Sequence, residues 1–187
     1  MRIVLYLCVF LIALTLALTL TSFLLKPTPV GPPVAPSPDQ HREPVIQVYG
    51  ADVWGIRGRF AIHTWVATKD WDEPNYTIYQ VIGWRLRRDG TALSITEGRP
   101  DRPWFRSPPI LLHEVKGPEA ASLIEHIESA VQGYPYADQY TMWPGPNSNS
   151  FTEWVALSVP GLELDLPTKA IGARWMRSNF APTPPAQ

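Results

Sequence analysis

From Ile3 to Leu25 the chain has no charged residue, no proline and no glycine. About 20 apolar residues at helical rise match the ~30 Å hydrocarbon core of a bilayer, so a transmembrane helix is expected here. A cleaved signal peptide has a shorter apolar region, usually ~7–15 residues, with a small-x-small cleavage site after it, and no such site follows. Residues 1–26 therefore read as an uncleaved signal-anchor. Arg2 precedes the run and Lys26 follows it. The positive-inside rule then puts the amino terminus in the cytoplasm, giving a single-pass protein of the inner or cytoplasmic membrane with an extracytoplasmic domain.

Residues 27–44 read PTPVGPPVAPSPDQHREP, with seven prolines. Such a stretch cannot form a helix or a central strand and is expected to be an extended polyproline spacer. The tail, residues 181–187 (APTPPAQ), is expected to be disordered. The globular domain is thus residues 45–180. The sole cysteine, Cys8, lies inside the apolar run, so the domain has no disulfide, no thiolate zinc cluster and no cysteine nucleophile. Without Arg2 and Lys26 the chain carries 14 basic and 17 acidic residues. That balance excludes the basic stripe required for nucleic acid and argues against electrostatic binding to anionic lipid headgroups.

Within the domain, Val45 to Tyr49 is a short β-branched run. Arg59 to Lys69 alternates with a period of two, Phe60, Ile62, Thr64 and Val66 on one face and Ala61, His63 and Trp65 on the other. Tyr76 to Arg87 reads as a further strand, with turn chemistry at 70–75 before it and the two-residue turn signal Asp89-Gly90 after it. Ala92 to Thr96 and Ile110 to Val115 complete the strands. Gly117-Pro118-Glu119 opens a helix with Leu123, Ile124, Ile127 and Val131 at helical spacing. A second helix, Phe151 to Val159, begins after the capping run Asn147-Ser148-Asn149 and stops at Pro160-Gly161. The class is α+β, a mostly antiparallel sheet with two late helices behind the amino-terminal transmembrane helix.

A nucleophile requires a base, most often histidine. His126 flanks the first domain helix outside its apolar stripe, as a solvated residue would. His113 and Glu114 are adjacent but lack metal-ligand spacing, and no metal or cofactor is implied. His63 is mid-strand beside Trp65, where a histidine is also commonly a packed structural residue. Ser148, at a helix start, faces unsatisfied N–H groups that can stabilise an anionic nucleophile or an oxyanion, with Asn147 and Asn149 as supports. The same residues serve equally well as a plain helix cap.

Together, His63-Thr64 on an early strand and Asn147-Ser148-Asn149-Ser150-Phe151 opening a later helix resemble the circularly permuted papain-like families. In the PPPDE group of deubiquitinating and deSUMOylating peptidases, a strand carries His-Thr and the helix opens on Asn-Cys-Asn-x-Phe. Here serine stands where that resemblance implies cysteine. Across residues 45–175 the chain resembles an uncharacterised bacterial family, domain of unknown function number 3750. The segments FAIHTWVATK, YQVIGWRLRR, PGPNSNSF and LELDLPTKAIG carry this likeness. It implies no activity. A serine hydroxyl has to be deprotonated during attack by a neutral histidine held by an orienting acid, for which Glu114 and Asp138 are candidates.

Two functions remain open. One is a membrane-tethered amide or ester hydrolase with His63 as base and Ser148 as nucleophile. The other is a non-catalytic binding module of the cell envelope that keeps the cleft and uses its tryptophans on a peptide, glycan or lipid ligand. Buried tryptophans in a small core are the plain alternative. A structural envelope protein without small ligand has only the anchor in its favour.

Overall fold

The computed structural model describes residues 2–25 and 33–180, apart from the side chains at 2, 3, 5 and 22–25. Lys26, the first prolines of the spacer and the tail at 181–187 lie outside the described residues. Helix α1 runs Arg2–Leu25, 24 residues, and its side chains at residue 4 and residues 6–21 are all exposed. Among the described residues, no helix is long and apolar enough to cross a membrane. The continuous run of described side chains in α1 covers only residues 6–21.

Five antiparallel strands form one sheet in the order β4-β3-β2-β1-β5. They are β1 (Val45–Asp52), β2 (Ile62–Lys69), β3 (Tyr76–Val81), β4 (Leu93–Gly98) and β5 (Ile110–Lys116). The order follows from successive hairpins, except that β5 returns beside β1. Alternation decides the faces. Ile46, Val48, Val66, Tyr79 and Val81 turn toward α3 (Pro118–Gln132) and α4 (Ser148–Ser158), and there the main core forms with Ile124, Ile127, Phe151 and Val155. The opposite face carries Tyr49, Ala51 and Trp65, covered by Trp104 and Leu111.

Several expectations require correction. Three helices, not two, follow the sheet, because α5 (Ala173–Asn179) packs against α4 and buries Ala173 and Met176. The strand expected over Tyr76 to Arg87 ends at Val81, and residues Arg85–Asp89 form the short helix α2. Asp89-Gly90 is therefore no hairpin turn. Gly90 closes α2 in the left-handed region (φ 73°), and its N–H donates to the Leu86 carbonyl. At the start of β2, Arg59 ends a 3₁₀ turn (Gly55–Arg59), and Phe60 is 69% exposed rather than a strand residue.

The later half of the proline stretch is no free spacer. The backbone N–H groups of Val34 and Ala35 donate to the Asp101 carboxylate (2.8 and 3.1 Å), and Ala35 is buried against Val45, Ala67 and Tyr76. The Tyr76 hydroxyl donates to the Pro36 carbonyl and Lys69 Nζ to the Glu43 carbonyl. Proline removes donors and fixes φ, so the segment is strapped to the domain through its carbonyls and its few remaining N–H groups.

Candidate functional site

The site forms where β2 begins, α4 begins and the connections carrying Trp54, Trp84, Trp104, Met142 and Ile171 converge. Asn147 is the amino-terminal cap of α4, its Oδ1 accepting from the N–H groups of Asn149 (3.0 Å) and Ser150 (3.1 Å). Its amide nitrogen donates to the carbonyls of Met142 and Ile171, both at 3.0 Å. Gly172 makes this possible. It has φ 112°, and a Cβ there would stand 2.3 Å from Asn147 Oδ1. Asn149 donates from its amide to the Ile62 (3.0 Å) and Ile171 (2.8 Å) carbonyls. Thr64 joins this knot, donating its one hydroxyl proton among Asn149 Oδ1 (3.0 Å) and Thr152 Oγ1 (2.9 Å).

Asn147 and Asn149 thus have their amide donors engaged in bonds that hold α4 against β2 and the Ile171 loop. Neither amide is therefore free for the oxyanion role that the sequence suggested. An α-helix leaves its first N–H groups unsatisfied. Those of Asn149 and Ser150 go to the Asn147 side chain, and that of Phe151 goes to the Asn147 carbonyl. The remaining donor of the first turn is the N–H of Ser148. The Ser148 hydroxyl makes no hydrogen bond among the described residues, and the residue lines a cavity of about 830 Å³.

His63 lines the same cavity. Its alternation on β2 points it away from Thr64, into a column of rings. It stacks on Trp104 (centroids 3.7 Å, planes 3° apart) with Trp65 tilted beside it at 5.8 Å. Only 5% of the residue is exposed. Burial among these rings disfavours the imidazolium and lowers its pKa to about 4, against a smaller opposing effect of its bond to Gln80. At neutral pH the ring is neutral. Nε2 lies 3.0 Å from Gln80 Oε1, which only accepts, so Nε2 carries the proton and Nδ1 keeps its lone pair.

Gln80 is the residue that sequence reasoning missed. The β2–β3 ladder covers only Val66–Thr68 against Thr77–Tyr79, so beyond it β2 and β3 are joined by this side-chain bond. The acids considered as orienting groups are elsewhere. Glu114 accepts from Gln47 and pairs with Lys116, and Asp138 is exposed on a loop. His113 holds its Nε2 buried without a hydrogen bond, and exposed His126 bonds the Ser122 carbonyl of its own helix.

The rest of the cavity wall is apolar and partly open to solvent. Trp54, Phe60, Trp84, Phe105, Met142 and Trp143 line it and are 49–74% exposed. Among the described residues, Arg57 and Arg87 are the only charged side chains in the lining. The tryptophans therefore divide: these join Trp104 at the cavity, while Trp154 and Trp175 pack in the core.

Residues 43–175 match the family model described as Protein of unknown function (DUF3750). The chain belongs to this family. No curated protein and no solved structure matches it significantly. The likeness to permuted papain-like peptidases accordingly rests on the His63-Thr64 and Asn147–Phe151 motifs alone.

Proposed function

We propose that this member of the DUF3750 family is a membrane-anchored hydrolase of ester or amide bonds, with Ser148 as nucleophile and His63 as base. The observation that carries the reading is that both residues line one cavity, at the Ser148 N–H, which no hydrogen bond among the described residues takes up. Ser148 Oγ adds to the carbonyl carbon of the substrate, and its proton passes to Nδ1 of His63. The Ser148 N–H stabilises the oxyanion, as such donors do in acyl transfer. The bond to the leaving alcohol or amine breaks as His63 returns the proton to it. Water repeats the sequence on the acyl-serine and releases the acid. Gln80 holds the imidazole tautomer, the part an amide plays beside histidine in papain-like sites.

Anchoring is supported by the sequence, since Ile3 to Leu25 carries no charge, proline or glycine over the length that ~30 Å of hydrocarbon requires.

A second reading keeps the cavity as a binding site without turnover. It is favoured by the neutral amide of Gln80, which stabilises an imidazolium less than a carboxylate does. Treating the full-length protein in detergent with a fluorophosphonate separates the two. Hydrolase chemistry predicts a phosphonyl adduct on Ser148 by mass spectrometry, lost in His63→Ala. No adduct, or an adduct indifferent to His63, leaves the binding reading.

A further inference from the structure

We propose that the mouth of the Ser148 cavity is a bilayer-docking surface through which the apolar part of an anionic lipid enters. Three independent features point there. The first is the patch itself. Soluble proteins rarely expose contiguous large apolar groups without an interaction to serve. Here Trp54, Phe60, Trp84, Phe105, Met142 and Trp143 surround one opening, with Ile56 (76% exposed) beside them on the 3₁₀ turn. Tryptophan and arginine together are the residues that settle at a membrane interface, rings at headgroup level and cations snorkelling past them.

The second feature is charge. Arg57 and Arg87 are the charged lining of the cavity, no carboxylate joins them there, and neither enters a salt bridge among the described residues. Nearby Arg85 and Arg88 are both paired with Asp89. Net acidity of the domain argued against anionic headgroups, but at the mouth the sign reverses. A polar tip of negative charge and an apolar body is the shape of ligand this lining fits.

The third is reach. The strap fixes the chain to the domain from Val34 onward. If α1 ends at Leu25 in the bilayer, nine Cα steps separate the two, at most roughly 30 Å of extended chain. A domain on so short a tether stays beside the membrane surface.

The substrate class rests on the hydrolase reading above and the reach on the anchoring reading, whereas the patch and its charge rest on neither. All eight tryptophans lie in the domain and none in α1. Tryptophan quenching by lipid therefore reports the domain and not the anchor. The full-length protein is reconstituted in nanodiscs of phosphatidylcholine with phosphatidylglycerol, with plain or brominated acyl chains.

Docking predicts that bromine removes roughly a third of the emission, the share of the three exposed mouth tryptophans, Trp54, Trp84 and Trp143, among the eight. Trp54→Ser with Trp143→Ser removes most of that loss, leaving the share of Trp84, and Arg57→Glu with Arg87→Glu reduces it by more than half while circular dichroism stays native. Equal emission in plain and brominated discs overturns the proposal, as does quenching unchanged in both double variants. Fluorophosphonate labelling of Ser148 in the same preparation separates the two ideas: labelling without quenching sinks the docking surface alone, and quenching without labelling sinks only the chemistry.

Discussion

At the floor of the cavity the polar side chains of Asn147, Asn149, Ser150 and Thr64 are buried and bonded, whereas at its mouth large apolar side chains stand in solvent. Each region inverts the usual rule for its place. A buried polar group is tolerated only when its hydrogen bonds are made, and at the floor nearly all are. Ser148 is the exception, held rigidly by neighbours whose bonds are complete. The mouth is the reverse, since exposing tryptophan stabilises no fold. On the proposed reading the floor carries position and the mouth recognition, and substitutions are expected to separate the two.

The largest effect is expected at Gly172. Gly172→Ala drives a Cβ into the Asn147 amide at a positive φ that alanine disfavours. Unfolding in urea, read by circular dichroism, is expected to show a loss of about 3 kcal/mol or more. Next is acid. The folded pKa of His63, about 4, lies below its unfolded value of 6.5. The unfolded chain then binds the extra proton between those values, so the stabilisation is complete above pH 6.5 and is lost as pH falls toward 4. The loss is at most about 3 kcal/mol. The difference between wild type and His63→Gln across that window measures it.

Thr64→Val removes the hydroxyl shared between Asn149 and Thr152 and is expected to cost about 1–2 kcal/mol. Smallest is Trp143→Ser at the mouth, 74% exposed in the wild type. Stability should change by no more than about 0.5 kcal/mol, while quenching by brominated lipid falls. A mouth substitution as costly as Thr64→Val would break the comparison.

What could be read from the chain alone follows the same division. Period-two alternation exposed β2, and helical spacing with Pro118 and Gly133 exposed α3. The cap Asn147 was visible because asparagine at a helix start has a local physical reason. Local alternation also misled. Ile82, Trp84 and Leu86 extend the β3 pattern, yet Trp84 precedes α2 and Leu86 lies on it, and both line the cavity. Helix α5, seven residues with a polar outer face, has too little periodicity to read. Gln80 could not be found, because its role depends on the β2–β3 ladder ending at Val66 and Tyr79, a tertiary fact. The strap is not legible in the chain because proline density marks an extended segment, not whether that segment finds acceptors such as Asp101.

The most direct test is the pH dependence of Ser148 phosphonylation in the full-length protein. A neutral, buried His63 acting as base predicts a rate that rises through an apparent pKa of about 4, stays level across neutral pH, and collapses in His63→Ala. A rate that climbs steadily with hydroxide and survives His63→Ala would contradict catalysis by this pair.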